Sequence, residues 1–303
     1  MKIARTRAEL RHLRRAIDRG ATCGFVPTMG ALHQGHGMLV ERARAENDVC
    51  AASIFVNPKQ FGPGEDFATY PRTEDADLAL LRDLGCDLVL IGSSEDFYPP
   101  DFATRVELRG HLVSTAEGAR RPTHFAGVTT VVAKLFGLFE PTRAYFGWKD
   151  MQQLCVIRRM VEDLSMPVDI VGCEIVREAD GLAMSSRNRY LDRCERALAP
   201  KIHEALITAA RAWQGGERRG EKLRGIVREH LHGFDLEYVE LRDAASFEEL
   251  ADPVGPGRIL VVARMGTTRL LDNVALDVAL DVSLDVPLST AVDAVDAAAG
   301  AAA

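Results

Sequence analysis

The sequence predicts an α/β fold in which a doubly wound parallel sheet is followed by a second, smaller α+β domain. From residue 21 to residue 171, apolar segments typical of buried strands alternate with segments of helical spacing. This alternation indicates parallel strands joined by helical crossovers. After about Val176 the order changes, because two predicted helices come before two strand candidates. We therefore divide the chain into domains at 1–176 and 177–278, followed by a tail at 279–303.

The first domain is predicted to begin with a helix. Thr6 and Glu9 have the spacing of a capping box, and apolar residues continue at helical spacing to about Arg19. The apolar runs that follow end at glycine, proline or polar residues, as strands do. They predict strands at 21–27, 49–56, 88–91, 144–146 and 168–171. The segments between them predict helices at 35–45, 74–84, 128–139 and 151–164.

The second domain is predicted to contain two helices and a small sheet. Its two helices and first two strands are predicted, in chain order, at 195–213, 221–232, 237–241 and 259–263. A further strand that begins at Val274 is expected to close the sheet. Beyond it, aspartates recur every four positions and the chain then becomes alanine-rich. We expect a solvated tail that is disordered from Pro287 onward.

Composition restricts the class of protein. The net charge of −7 argues against a general nucleic-acid binder, and 47% apolar residues can fill a core. No apolar run approaches the roughly 20 residues that span a bilayer, and the first residues form no apolar signal segment. The six cysteines include no Cys-x-x-Cys pair, which suits buried thiols in a reducing compartment. We expect a soluble, cytoplasmic protein that binds neither membrane nor nucleic acid.

The segment 25–36 is the main candidate site. An apolar strand runs through Gly30 and Gly35 into a predicted helix whose start carries His33 and His36. Free backbone N–H groups at a helix N-terminus favour phosphate, and residues three apart lie on one helix face. The alternative is a pair of surface histidines in a turn. The position after a strand favours a nucleotide phosphate site.

Two further segments follow predicted strands at the same sheet edge. Asn57 and Gln60 carry amides that suit a small substrate with hydroxyl and carboxylate groups, although Asn-Pro is also an ordinary turn. Lys149 follows Gly147 at the start of a predicted helix, with Asp150 as the candidate N-cap. This arrangement predicts a second anion site.

Three polar stretches have both a structural and a functional interpretation. The acids at 74–77 either occupy the first turn of a capped helix or hold magnesium through water. Residues 120–124 place two arginines and a histidine just before a helix, either as a solvated loop or as a site, since a bare surface loop seldom leads so directly into an apolar helix. Residues 177–188 form either a surface hairpin or a donor-rich loop able to clamp polyphosphate.

Taken in order, these strings resemble the pantothenate synthetase family, and the resemblance covers about residues 1–278. His-x-Gly-His alone is shared with nucleotidylyltransferases and class I aminoacyl-tRNA synthetases. The matching strings are Val-Pro-Thr-Met-Gly-Ala-Leu-His-x-Gly-His, Phe-Val-Asn-Pro-x-Gln-Phe-Gly, Tyr-Pro-Arg-Thr, Arg-Pro-x-His-Phe-x-Gly-Val, Phe-Gly-x-Lys-Asp-x-Gln-Gln, Arg-Glu-Ala-Asp-Gly-Leu-Ala-Met-Ser-Ser-Arg-Asn and Gly-Thr-Thr-Arg-Leu-Leu-Asp-Asn.

The resemblance implies a Rossmann-like domain that binds ATP and pantoate, with the smaller domain as a lid. It implies ATP-dependent condensation of D-pantoate with β-alanine to pantothenate, AMP and pyrophosphate through pantoyl-adenylate. ATP would be a substrate, Mg²⁺ a cofactor and a homodimer the assembly. A nucleotidylyltransferase and a non-catalytic nucleotide-binding module are the alternatives.

The resemblance also implies roles for single residues. His36, His33 and Lys149 would be catalytic. The ATP-binding set would be Met29, Gly30, Ala31, Leu32, His33, Gln34, Gly35, His36, Gly147, Trp148, Lys149, Asp150, Val176, Met184, Ser185, Ser186 and Arg187. Gln60, Gln153 and Asn57 would bind pantoate or β-alanine, and Asp77 the metal. Thr123 and Ala76 depart from the family pattern, where glycine and a second acid are expected.

Overall fold

One parallel sheet dominates the part of the chain that the structure describes, residues 1–276 without Arg19 and Pro256. The structure is a computed structural model. The strands of this sheet are β1 (Lys2–Ala4), β2 (Cys23–Thr28), β3 (Val49–Ile54), β4 (Leu88–Ile91), β5 (Arg143–Gly147) and β6 (Asp169–Cys173). Their order is β1-β4-β3-β2-β5-β6, and each pairing is parallel. The predicted doubly wound fold is confirmed.

Helices cover both faces of this sheet. The helices before and between its strands are α1 (Arg7–Arg15), α2 (Gln34–Glu46), α3 (Glu74–Asp83), α4 (Ser94–Phe97), α5 (His111–Ser114), α6 (Ala116–Arg120), α7 (His124–Phe139) and α8 (Met151–Asp163). Of these, α5 and α6 pack with α8 in a separate core cluster. Successive side chains of a strand point to opposite faces, so Phe25 of β2 enters one core and Val26 the other. Phe25 stacks on Phe139 of α7 with ring centroids 4.3 Å apart, which holds that helix against the sheet.

A second, antiparallel sheet follows in the order β7-β8-β9. Its elements are α9 (Arg193–Leu198), α10 (Lys201–Gln214), α11 (Gly220–His230), β7 (Asp235–Asp243), β8 (Gly257–Met265) and β9 (Thr268–Ala275). Leu206, Val227 and Val261 are buried in a core that α10, α11 and the sheet share. The predicted smaller α+β unit is confirmed as a fold class.

Several elements differ from the sequence predictions, and the short helices α4, α5 and α6 were not predicted. Strand β1 precedes the first helix and was not predicted, because three residues at a sheet edge show too little alternation. The helix predicted at 195–213 breaks at Pro200, which cannot donate a backbone hydrogen bond in a helix interior. The closing strand predicted from Val274 begins instead at Thr268, after a tight turn at Gly266 whose φ is +54°.

Several predictions stay untested. The domain limits at 176 and 278 and the lid role of the smaller unit remain predictions. The tail at 279–303 lies outside the described residues, whereas the first helix, predicted to run to about Arg19, ends at Arg15. Among the described residues, the helices are all too short or too polar to cross a membrane.

Thr123 has a φ of −97°, which any residue adopts, so the glycine expected there is not needed for backbone conformation.

Candidate active site

A cavity of about 270 Å³ opens at the carboxyl ends of β2 and β5. These strands are neighbours, yet their crossovers lead to opposite sides of the sheet, which is where α/β sheets bind ligands. The predicted residues that line the cavity are Met29, His33, Gly35, His36, Gln60, Gly147, Lys149, Asp150, Gln153, Val176, Met184, Ser185, Ser186 and Arg187. The predicted residues that are not part of the lining are Gly30, Ala31, Leu32, Gln34, Asn57, Asp77 and Trp148.

Several other residues of the cavity lining had no role predicted from the sequence. Arg121 and His124, the latter being the first residue of α7, belong to the Arg-Pro-x-His string, and Tyr70 belongs to the Tyr-Pro-Arg-Thr string. Both strings carry the family resemblance, but the sequence predicted no chemical role for these three residues. Glu174 follows β6 and had no signal of its own.

His33 and His36 form a reciprocal cap at the start of α2. The His33 Nδ1 accepts the Gly35 backbone N–H at 3.1 Å, and the His36 Nδ1 accepts the His33 N–H at 3.3 Å. The two rings lie 4.1 Å apart between centroids. An imidazole nitrogen that accepts a hydrogen bond carries no proton, so each neutral ring has its proton on Nε2. The motif therefore supplies two Nε2–H donors beside the first N–H groups of a helix.

Both imidazoles are held neutral. Burial, then the charges of Lys149 and Arg189, lower the pKa of His33 to about 4. Burial, then His33 and Lys149, lower the pKa of His36 to about 3. In the free protein near pH 7, both rings therefore act as neutral hydrogen-bond donors, and neither is a reservoir of acidic protons.

We expect NMR titration of the free protein to show both rings as the neutral Nε2–H tautomer at pH 6. Because their folded-state pKa values lie below the ordinary value of 6.5, the unfolded chain binds more protons between these values. The stability linked to these rings is present above about pH 6.5 and is lost as the pH falls through 4. Nitrogen shifts of His33 or His36 that titrate near 6.5 would contradict the neutral-donor interpretation.

Asp77 fixes the turn between β2 and α2. Its carboxylate accepts the backbone N–H groups of Ala31 (2.9 Å) and Leu32 (2.8 Å) and the hydroxyl of Thr73 (3.0 Å). These bonds hold Gly30 and Ala31 at positive φ values of 83° and 50°, a conformation that a non-glycine residue adopts only when its surroundings impose it. Asp77 is buried behind the cavity, so the metal role predicted for it disagrees with the geometry.

Replacing Asp77 by asparagine should lower the free energy of unfolding by about 1–3 kcal/mol, because an NH₂ group then faces a backbone N–H that has lost its acceptor. The dependence of the reaction rate on magnesium should be unchanged. Urea unfolding and a magnesium titration of the rate test both points. Thr73→Val is the matched control, since it removes only the hydroxyl donor. If Asp77→Asn changed the magnesium concentration that gives the half-maximal rate, the metal role of Asp77 would be supported.

Asn57 lies one layer behind the cavity and supports Gln60. Both of its amide hydrogens are in use, on the Gln60 Oε1 and on the Gly127 carbonyl, each at 3.1 Å. Its Oδ1 accepts the Tyr98 hydroxyl at 2.8 Å. These contacts orient the Gln60 amide at the cavity wall, so direct substrate contact by Asn57 has no support in the geometry, whereas Gln60 and Gln153 reach the cavity.

The Lys149 ammonium reaches the hairpin at 177–188. Its Nζ donates to the Met184 carbonyl at 3.0 Å, and burial lowers the pKa of the lysine. Ser185 caps the short turn Ser186–Tyr190 by accepting the Arg187 N–H. Asp150 occupies the N-cap position of α8 but makes no side-chain cap bond. The segments that contain Lys149 and Met184, both predicted to bind anions, therefore meet at one wall of the cavity.

Two arginines of the cavity are paired with adjacent acids of the loop after β3. Arg187 binds both carboxylate oxygens of Asp66 at 2.9 Å, and Arg121 binds both oxygens of Glu65 at 2.8 and 2.6 Å. A polyphosphate near Arg187 must share the guanidinium with Asp66 or displace it. The phosphate-binding role of Arg187 stays a prediction.

Trp148 faces away from the cavity. Its ring lies against two guanidinium groups, those of Arg158 at 5.1 Å and Arg258 at 4.8 Å from the ring centroid. Its indole also contacts β6, since a Cβ added at Gly172 would lie 2.7 Å from the Trp148 Nε1. These contacts indicate a structural role for the indole ring, and the nucleotide contact of Trp148 stays a prediction.

The model of the pantoate-β-alanine ligase family matches residues 2–275 of the chain. The chain belongs to this family. A pantothenate synthetase from Herpetosiphon aurantiacus is 50% identical over 280 residues, which cover 91% of this chain and 100% of that protein. The pantoate-β-alanine ligase chain is thus an enzyme, a ligase that joins pantoate to β-alanine. The predicted resemblance is confirmed, and the nucleotidylyltransferase and non-catalytic alternatives are not favoured.

Solved structures of pantoate-β-alanine ligases show the same fold. The pantothenate synthetase from Thermus thermophilus matches with a TM-score of 0.87 at 48% identity, over 92% of this chain and 100% of that one. A ligase from Francisella tularensis, complexed with β-γ ATP and β-alanine, matches with a TM-score of 0.77 at 33% identity, over 92% of this chain and 99% of that one.

Proposed function

We propose that this ligase uses the cavity at β2 and β5 to form pantoyl-adenylate from ATP and D-pantoate before β-alanine attacks. The observation that carries the proposal is the pair of neutral imidazoles at the start of α2, facing the same cavity as Lys149. The Francisella ligase complexed with an ATP compound and β-alanine supports ATP as the nucleotide.

Adenylation needs no protein nucleophile. The pantoate carboxylate attacks the α-phosphorus, the bond to the bridging oxygen breaks, and pyrophosphate leaves with the electron pair. The amine of β-alanine then attacks the acyl carbon and AMP leaves. What the protein supplies is alignment and stabilisation of charge on the phosphates. His33 and His36 would supply this through their Nε2–H groups and Lys149 through its ammonium.

The two substrates of adenylation would occupy different walls of the cavity. We assign Gln60 and Gln153 to pantoate, because a primary amide both donates and accepts and so suits a hydroxy acid. The nucleotide would lie along α2 and the segment from Val176 to Arg187. Asn57 would act on pantoate only by orienting Gln60.

Magnesium would enter with the nucleotide. Among the described residues, no group of three or more histidine, cysteine or acidic side chains is placed to hold a metal ion. The donor set therefore fits an ion bound mainly through phosphates and waters, with Asp150 as a carboxylate at the cavity wall. When bound, magnesium would neutralise phosphate charge.

Chelation by EDTA should abolish adenylation, and added magnesium should restore it, because the cavity cations alone cannot offset the charge of ATP. The measurement is pyrophosphate release with and without EDTA. Unfolding temperature in EDTA is the control, and it should not change if the ion enters with ATP. Full activity in EDTA would contradict the proposal.

Isotope exchange between pyrophosphate and ATP tests the function directly. Exchange should require D-pantoate within a panel of carboxylic acids and should proceed without β-alanine, because adenylation is complete before the amine attacks. Exchange that needs no carboxylic acid would indicate a different reaction. A chain that binds ATP without any exchange would be a binding module.

We also propose a cytoplasmic homodimer that binds neither membrane nor nucleic acid. The net charge of −7 supports the last point, and the free, mostly buried cysteines suit a reducing compartment. The dimer rests on the family resemblance, and light scattering in solution tests it.

A further inference from the structure

Asn273 of β9 joins the small sheet to the turn that carries Lys149. It is fully buried, and its amide donates to two consecutive carbonyls, those of Trp148 at 2.9 Å and Lys149 at 3.1 Å. Its Oδ1 accepts the Arg258 Nε at 2.5 Å. Both donors of the amide are therefore used on one short turn of the other sheet's domain.

A second tie runs from the neighbouring residue to the Lys149 side chain. Asp272 binds Arg177 through both carboxylate oxygens, at 2.7 and 2.9 Å. Arg177 also donates to the Gly181 carbonyl at 3.0 Å, and so holds the hairpin whose Met184 carbonyl accepts the Lys149 ammonium. Backbone and side chain of Lys149 are thus both held by contacts that lead to β9.

We propose that Asn273 is a positioning residue for the ligase reaction. By holding the Trp148 and Lys149 carbonyls, it sets where the Lys149 ammonium stands in the cavity. The inference rests on the proposed role of Lys149 at the ATP phosphates.

The turn at Trp148–Asp150 makes such a tether effective. It is a single 3₁₀ turn between β5 and α8, too short to fix its own orientation by internal hydrogen bonds. The tether comes instead from a buried strand of the small sheet. A shift of about 1 Å at a charged group can cost roughly a hundredfold in rate.

Asn273→Ala should slow formation of pantoyl-adenylate by roughly tenfold to a hundredfold. Attack of β-alanine on supplied pantoyl-adenylate should stay within about twofold of the unaltered protein, a difference of the size that neutral substitutions produce. Asn273→Ser keeps one donor in a small side chain and should show an intermediate loss, and it serves where the alanine variant folds poorly.

Val274→Ala is the matched control for loss of stability. Val274 is buried in the small-sheet core next to Asn273, and its side chain has no polar atom that could bond to the turn. It should lower the unfolding temperature and leave the ratio of the two half-reaction rates unchanged. If Asn273→Ala and Asn273→Ser also leave this ratio unchanged, Asn273 is only structural and the inference is wrong.

A double-mutant cycle with Lys149→Met shows whether Asn273 acts through the lysine. Asn273→Ala should have little further effect on adenylation in the Lys149→Met background, since residues that act as one unit are not additive. Fully additive losses would overturn the inference. If Lys149→Met alone leaves adenylation unchanged, the proposed role of Lys149 fails first, and the inference falls with it.

Discussion

Replacing His36 by alanine is expected to slow formation of pantoyl-adenylate by roughly a hundredfold or more, the usual cost of removing one donor aimed at developing charge. Attack of β-alanine should barely change, because pyrophosphate has already left. The measurement supplies ATP with pantoate in one single-turnover experiment and pre-formed pantoyl-adenylate with β-alanine in another. A loss confined to the first rate indicates a role at the phosphates, and a loss in both rates indicates a general role.

Matched substitutions separate the two nitrogens of His36. The Nδ1 caps α2 by accepting the His33 N–H, whereas the Nε2–H is the proposed donor to phosphate. Asparagine places an acceptor near Nδ1 and has no donor at the Nε2 position, so His36→Asn should be about as slow as His36→Ala. Glutamine places a donor near Nε2, so His36→Gln should recover part of the rate. Equal losses in both half-reactions would show that His36 supports only the fold.

Lys149→Met should also slow adenylation by roughly a hundredfold, because it removes a cation that faces the cavity beside the two neutral histidines. The loss should appear mainly in the first half-reaction. Methionine retains the length of the side chain, so loss of packing contributes little. Single-turnover adenylation at saturating ATP measures the effect.

Two further lysine variants sharpen this result. Lys149→Arg keeps the charge but replaces a compact ammonium by a planar fork, so it should rescue only part of the rate. Lys59 lies over the Tyr98 ring outside the cavity lining, and Lys59→Met should change the rate by about twofold or less. A normal rate in Lys149→Met would remove the lysine from the proposed mechanism.

The sequence predicted the doubly wound sheet and most of its elements because their signals are local. Strand and helix periods, turn residues and caps are each encoded within about ten neighbouring positions. The 88–91 strand matches its prediction, and most other elements shift by a few residues at their ends. Strand β1 was missed because its pairing with β4, and not its own pattern, makes it a strand.

Most of the candidate cavity was also predictable, because parallel strands end at one edge and bring their following segments together. His33, Lys149 and Gln60 each follow a different strand and line the same cavity. The order of the motifs, which carried the family resemblance, added predicted roles for these residues. Neither kind of signal contained the protonation states of the histidines.

Hydrogen-bond partners were decided only by the tertiary structure. Asp77 was predicted to bind a metal and Asn57 a substrate, yet Asp77 holds the turn after β2 and Asn57 donates to Gln60 from outside the cavity lining. The same holds for the neutral state of His36, which follows from burial beside His33 and Lys149. The sequence by itself determined which residue types reach the sheet edge. Which polar atoms remain available for a ligand depended on distant segments, since a hydrogen bond forms wherever folding brings donor and acceptor within about 3 Å.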